Sequence, residues 1–331
     1  MLALEWPRLS FDARLSVQPG PAGSKPFDIV GFGQNSVDLV AVVSRYPEPD
    51  SHTRVDRFAE LPGGEIATAM VACARLGCRA RYVGTIGSNS QGALVRATLA
   101  KEGVDVAKIR QVDAPNRLAL ILVDPAGTRT VLWHRDARLA MTSADVDLDA
   151  VTSGRVLLVD AIDPDASTTA ARAAREQGIV TVADIDAVQP GVDLLLSEVD
   201  IIIAAGPFPE ALTGATGLGA GLEQMAERYH SAMIVATLGS EGTLTRLNGR
   251  ELRTPAAAVD VVDTTGAGDA FRGGFIASWI RLGNERGIDT VLEYASVVAA
   301  LNCRALGAQT ALPSWDQVEQ AVTRAAGDRS N

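Results

Sequence analysis

Four short and nearly uninterrupted apolar runs constrain this chain more than any other feature: residues 156–159, 179–182, 199–203 and 233–236. Between them lie Ala-rich stretches of helical period, such as residues 168–177 and 218–229. A strand that is apolar at every position, rather than at every second one, must be covered on both faces. Helices between such strands supply the cover and make the connections long enough for parallel pairing. The pattern predicts an α/β fold, a doubly wound and mostly parallel sheet with helices on both faces. Asp160 and Asp184 close two of the strands. At the carboxyl ends of parallel strands they either face a ligand crevice or cap the next turn.

Residues 53–61 and 117–134 follow a different pattern. They alternate apolar with polar side chains, and the second segment turns at Pro125, Ala126 and Gly127. That alternation belongs to antiparallel strands with one open face. The first 26 residues carry Glu5, Arg8, Asp12 and Arg14 ahead of a Pro- and Gly-rich link at residues 19–26. They lack the basic-then-apolar order of a secretion signal and are expected to dock on the body or on a neighbour. No stretch approaches the ~18 uninterrupted apolar residues of a membrane-spanning helix, so none is expected.

With 47% hydrophobic and 21% charged residues, a chain of 331 residues can bury the core of one large domain. Its net charge of −10 argues against a nucleic-acid surface and against binding to anionic membranes. Cys73, Cys78 and Cys303 are scattered, as are His52, His134 and His230, and neither set has metal-ligand spacing. The cysteines read as buried thiols of a cytoplasmic protein.

The chemistry is concentrated at residues 263–275. Asp263, Thr264 and Thr265 precede Gly266, Ala267, Gly268 and Asp269, and Ala270, Phe271, Arg272, Gly273, Gly274 and Phe275 follow. An apolar β-type segment at residues 259–262 leads in, and a helical pattern at residues 270–280 leads out. Gly266, Ala267 and Gly268 thereby fall at a helix N-terminus, where unpaired N–H groups and the helix dipole favour negative charge. Their small side chains let an anion reach the backbone. A carboxylate beside such an anion hole suits phosphoryl transfer, with Asp269 taking a hydroxyl proton while the donors hold the migrating charge. Taken alone, a Gly-rich strand-to-helix turn with Asp269 as a dipole partner reads the same way.

The whole string resembles the C-terminal signature of the ribokinase-like (PfkB) carbohydrate kinases. Residues 62–77, where Gly63 and Gly64 open a helix ending Ala74, Arg75, Leu76, Gly77, are similar to that family's N-terminal signature. Residues 82–92 resemble its next strand and loop, residues 28–38 its first strand with a sugar-binding Asp at Asp38, and residues 237–242 its nucleotide-side loop. The pieces stand in family order from about residue 27 to residue 325. The resemblance implies a kinase domain over residues 27–326, an N-terminal extension at 1–26 and a tail at 327–331. It also implies a small inserted β lid with strands from about 52–61 and 109–134, and a homodimer joined through that lid. The expected ligands are ATP, Mg²⁺, a sugar and a monovalent cation. The motif's form is similar to that of the ketohexokinase and sulfofructose kinase branches.

Carried over residue by residue, the resemblance makes Asp269 the base and Gly266, Ala267 and Gly268 the anion hole. Asp38, helped by Asn35, accepts hydrogen bonds from sugar hydroxyls, or both are turn residues. Gly63 and Gly64 let the backbone approach the sugar. Thr68 stands where ribokinase-type members often carry a sugar-contacting Asn, and Glu65 where they often carry Lys, departures that weigh against ribose. Thr237 and Gly239 meet phosphate or ribose, Gly242 shapes their turn, and Thr265 and Asn302 belong to the nucleotide side. Asp263, with backbone near Asn302 and Gly307, resembles the monovalent-cation loop. The family's Asn-x-x-Glu motif, which organises magnesium, has no counterpart, since residues 200–210 contain no Asn. Glu210 is then either a shifted Mg²⁺ ligand or a solvated residue at a helix start. That gap opens a second reading, a catalytically weak sugar- or nucleotide-binding sensor. A nucleoside kinase is a third, for which 5% aromatic residues offer little base stacking. Arg117, His134, Arg135 and Arg138 fall in or just after the lid strands, where they either meet an anionic substrate or stay solvated. Arg272, one turn past Asp269, either meets such a substrate or pairs with a surface acid.

Overall fold

The computed structural model describes residues 14–283 and 285–328. In chain order its strands are β1 (Phe27–Phe32), β2 (Ser36–Val43), β3 (Val55–Gly63), β4 (Ala80–Val83), β5 (Thr85–Gly87), β6 (Arg110–Val112), β7 (Leu118–Val123), β8 (Arg129–His134), β9 (Gly154–Asp160), β10 (Val180–Ile185), β11 (Ile201–Ala205), β12 (Met233–Thr237), β13 (Thr243–Leu247) and β14 (Arg250–Thr254). The helices are α1 (Glu65–Arg75), α2 (Ser90–Lys101), α3 (Leu148–Val151), α4 (Pro164–Glu176), α5 (Val192–Leu196), α6 (Phe208–Thr213), α7 (Leu218–Arg228), α8 (Ala267–Leu282), α9 (Ile288–Asn302) and α10 (Trp315–Asp328).

The main sheet runs β14-β13-β12-β11-β10-β9-β1-β4. From β4 to β12 every pair is parallel, and β13 and β14 add an antiparallel edge. The four apolar runs fall on β9 to β12. Successive residues of one strand feed opposite cores: Val156 and Leu158 pack with α1, α8 and α9, while Leu157 and Val159 pack with α4, α5 and α7. Burial on both faces is therefore what made those runs apolar throughout. The chain crosses from β1 to β4 on one side and later reaches β9 on the other. This makes β1/β9 the topological switch point, where ligands of open α/β sheets bind beyond the carboxyl ends.

A second sheet, β3-β2-β7-β8, forms the lid. Asp38, Val40, Ala119 and Ile121 share its inner face by register, and Val40, Ala119, Ile121 and Val123 pack with Leu306 of the body. The other face leaves Phe58, Leu120 and Leu132 exposed.

Three sequence expectations need correction. Residues 28–38 are not one strand: Gly33 takes φ +155, and Gln34 N–H donates to Asp160 Oδ2, turning the chain out of the body. Asp38 consequently lies within a lid strand rather than after a body strand. Residues 110–112 pair with β5, so the lid's second part begins only at Leu118. Residues 259–262 form no strand, because the N–H groups of Val262 and Asp263 both go to Cys303 O after α9.

Of the N-terminal extension, Leu15 is buried in the core and Arg155 Nε donates to Gly20 O at 2.6 Å. Residues 1–13 of the extension and 329–331 of the tail lie outside the described residues. No helix among the described residues is long and apolar enough to cross a membrane.

Candidate active site

Helix α8 is buried along most of its length and wedged between α1 and α9. The Gly273-Gly274 pair makes that possible. A Cβ on Gly273 would fall 2.6 Å from Ala72 Cβ on α1, and one on Gly274 would fall 2.8 Å from Val298 Cβ on α9. At the helix start Gly266 takes φ +74, in the left-handed region, with Ala308 too close for any side chain. Ala270 N–H makes a helical bond to Gly266 O at 2.8 Å. The N–H groups of Gly268 and Asp269 have no acceptor among the described residues. They are free donors at the positive end of the dipole, half-buried beside the Asp269 carboxylate.

The loop before α8 is braced rather than open. Asp263 is fully buried and accepts from Thr265 N–H and hydroxyl, at 2.9 and 2.7 Å, and from Gly307 N–H at 2.8 Å. Asn302 donates to Thr265 O and Ala308 O. The side chains of Asp263, Thr265 and Asn302 therefore brace the turn that leads into α8.

Asp38 reaches the same crevice from the lid. It is 3% exposed, and Ser36 hydroxyl donates to its Oδ1 at 2.7 Å. Burial pushes its carboxyl up to about 6. A Cβ on Gly63 would stand 2.1 Å from Asp38 Oδ2, and one on Gly64, at φ +93, would stand 2.4 Å from Asn35 Cα. The Gly-Gly pair is thus required by Asp38 and Asn35 themselves. Asn35 is consumed internally: its amide donates to Tyr82 hydroxyl and Thr85 O, and its oxygen accepts from Asn116. Thr68 is fully buried and accepts from Gln309. Both buttress the wall and neither presents a free group.

The crevice is rich in acid. Burial pushes Asp269 up to about 7 against the pull of Arg272 and Arg129, with Asp186 and Asp38 adding to the push. Burial likewise holds Asp160 at about 6, although it accepts from Gln34 and Ile162 N–H. Glu65, the first residue of α1, is pushed well above the ordinary carboxylate range by burial and by Asp186, Asp160 and Asp269, while Arg117 opposes. Of the basic residues assigned to an anionic substrate, Arg135 is forked onto Asp163 and Arg138 onto Asp136. Arg272 pairs with an exposed acid, Asp186, and also with the buried Asp184. Arg117 remains, half-buried, with its guanidinium 5.2 Å from the Trp133 ring centre.

Thr237, expected on the nucleotide side, ends β12 and donates to Ala204 O. Gly239, at φ +58, borders open space, whereas a Cβ on Gly242, at φ +86, would fall 2.0 Å from Thr254 O. Glu210 accepts from Gly217 N–H, tying α6 to α7, so its carboxylate serves the loop. Among the described residues no group of three His, Cys, Asp or Glu side chains is arranged to hold a metal. Sequence reasoning missed Ser36, Asn116, Asp186 and Arg129. Arg129 donates to Thr264 hydroxyl at 2.7 Å, a lid-to-loop contact visible only once β8 is placed.

Residues 27–315 match the model of the pfkB family of carbohydrate kinases. The chain belongs to this family. It is 30% identical over 308 residues to a fructokinase of Klebsiella pneumoniae, covering 85% of this chain and 97% of that one. It is 28% identical over 298 residues to an ATP-dependent ribose-1-phosphate kinase of Halopiger xanaduensis, covering 88% and 96%. The fold is that of the Arabidopsis thaliana ribokinase solved with ribose and ATP, at 22% identity, a TM-score of 0.75 and coverage of 89% and 98%. Like the pfkB family, the chain is a carbohydrate kinase, a phosphotransferase.

Proposed function

We propose that this kinase transfers the γ-phosphoryl group of ATP to a hydroxyl of a sugar held between Asp38 and Asp269. The observation that carries the reading is the pairing of Asp269, poised near neutrality by burial, with the free N–H groups of Gly268 and Asp269 at the start of α8. A base of that character accepts the hydroxyl proton at physiological pH, and the donors take up charge on the migrating phosphoryl group. Asp38 orients the acceptor through hydrogen bonds to its hydroxyls. Thr237 and Gly239 lie where the nucleotide would rest, on the loop shaped by Gly242. Mg²⁺, when bound, would supply neutralisation of the ATP phosphates' charge. A monovalent cation near residues 263–265 and 307 would be held by backbone carbonyls.

The acceptor we infer is a neutral polyol. Asp38, Glu65, Asp160, Asp186 and Asp269 act on one another across the crevice, and of the cations acting on them Arg117 and Arg129 have no ion pair among the described residues. The exposed Phe58, Leu120 and Leu132 face suits a homodimer through the lid, and the three free thiols suit a reducing cytoplasm. ADP release measured across neutral and phosphorylated sugars tests the reading. ATP-dependent turnover of a neutral sugar is expected; binding of ATP and sugar without turnover of any acceptor would favour the sensor.

A further inference from the structure

Arg272 occupies an unusual place for a charge. Its side chain is 3% exposed, and Asp184 at the end of β10 is fully sealed beside it. Nε stands 2.6 Å from Asp184 Oδ1, too oblique for a linear hydrogen bond, and Nη2 donates to Asp186 Oδ1 at 3.0 Å. The remaining nitrogen, Nη1, is 4.0 Å from Asp269 Oδ1, one turn back on α8. A Cβ on Gly268 would fall 2.3 Å from that same nitrogen, so the guanidinium lies against the backbone of the anion hole. Burying a charge this deeply is costly unless it is paired. A helix contact alone would be served by an apolar residue, as it is by Phe271 and Phe275 nearby.

Resting on the reading of Asp269 as base, we propose that Arg272 is a positioning residue for the transfer. Asp184 and Asp186 fix its guanidinium, which in turn holds the Asp269 carboxylate ionised and set beside the Gly268 N–H group. The surroundings make a fixed cation necessary. Asp269 is faced by Asp186 and Asp184 from β10 and the loop after it, by Glu65 from α1 and by Asp38 from β2. Against these acids stand Arg272 and, from the lid, Arg129. Arg272 is the stronger of the two in favouring the carboxylate. Burial opposes its own charge, but Asp184, Asp186 and Asp269 outweigh burial and keep it protonated.

The proposal gives opposite signs for two neighbouring substitutions. Removing the cation with Arg272→Gln should move the acidic limb of kcat/KM up by about one pH unit or more. Asp186→Asn removes an acid and leaves more of the Arg272 charge to Asp269, so it should move the limb down. Arg272→Lys, which keeps a charge, should restore the limb towards its wild-type position. All are measured as pH profiles of ADP release, with Asp269→Asn alongside. If Arg272→Gln fails to fold because Asp184 is stranded, Asp186→Asn retains the Arg272–Asp184 pair and decides alone. A limb unmoved in Asp186→Asn, or rates lowered equally at every pH in both variants, would overturn the proposal. High activity in Asp269→Asn would instead reject the base assignment on which it rests.

Discussion

Replacing Gly63 with alanine is the sharpest steric probe of the acceptor side. Gly63 does not use a left-handed backbone, so a methyl group adds no conformational strain of its own. That methyl would stand 2.1 Å from Asp38 Oδ2 and 2.6 Å from Cγ, where ordinary contact begins near 3.4 Å. The carboxylate must therefore retreat by about 1.3 Å, at the expense of its 2.7 Å bond from Ser36. A hydrogen bond to a charged group contributes roughly 1.5–3 kcal/mol, and each ~1.4 kcal/mol is a factor of ten. Losing one such bond to the acceptor should lower kcat/KM for the sugar about 10- to 100-fold. Steady-state ADP release with the sugar varied reads that loss, and calorimetry reads the ATP affinity, which should stay unchanged. A folded Gly63→Ala enzyme with an unchanged sugar KM would refute the placement of Asp38 in the acceptor site.

Stability should depend on pH in a direction set by the buried acids. Asp38 and Asp160 at about 6 and Asp269 at about 7 bind protons more tightly when folded than at their unperturbed 3.8. Between about pH 4 and 7 the folded state holds more protons, so stability falls as pH rises through that window. Thermal melts should give a higher Tm at pH 5 than at pH 8, with a smaller difference in Asp269→Asn; a Tm rising over that range would contradict this. Gly242→Ala forces a Cβ against Thr254 O at a left-handed φ, so it should cost at least about 1–2 kcal/mol and weaken ATP more than sugar. Unchanged ATP affinity by calorimetry would remove that loop from the nucleotide site. A double Phe58→Asp, Leu132→Asp variant should be monomeric by light scattering where the wild type is a dimer; a monomeric wild type would reject the lid interface.

The parts of the fold that were legible in sequence are those with short-range causes. Burial on both faces leaves β9 to β12 apolar throughout, and the φ +74 turn at Gly266 leaves glycines ahead of α8. What was hidden depends on distant partners. The break after β1 comes from Gln34 meeting Asp160, 126 residues away. Arg135 is claimed by Asp163, 28 residues on, and Arg272 reaches back 86 residues to Asp186. No local pattern announces such pairs, so the partners of Arg135 and Arg272 became visible only in the fold. Gly63 and Gly64 were recognised as special, but the groups that exclude a side chain there became visible only once β2 and β3 were paired.

The central claim is that Asp269 takes the acceptor's proton, and Asp269→Asn tests it most directly. Asparagine keeps the size of the side chain while removing the carboxylate. The account predicts retained folding, retained ATP affinity by calorimetry, and a kcat lower by about 10²–10⁴-fold, the range for loss of a general base. A folded Asp269→Asn enzyme that binds ATP normally and turns over at a near-wild-type kcat would contradict it.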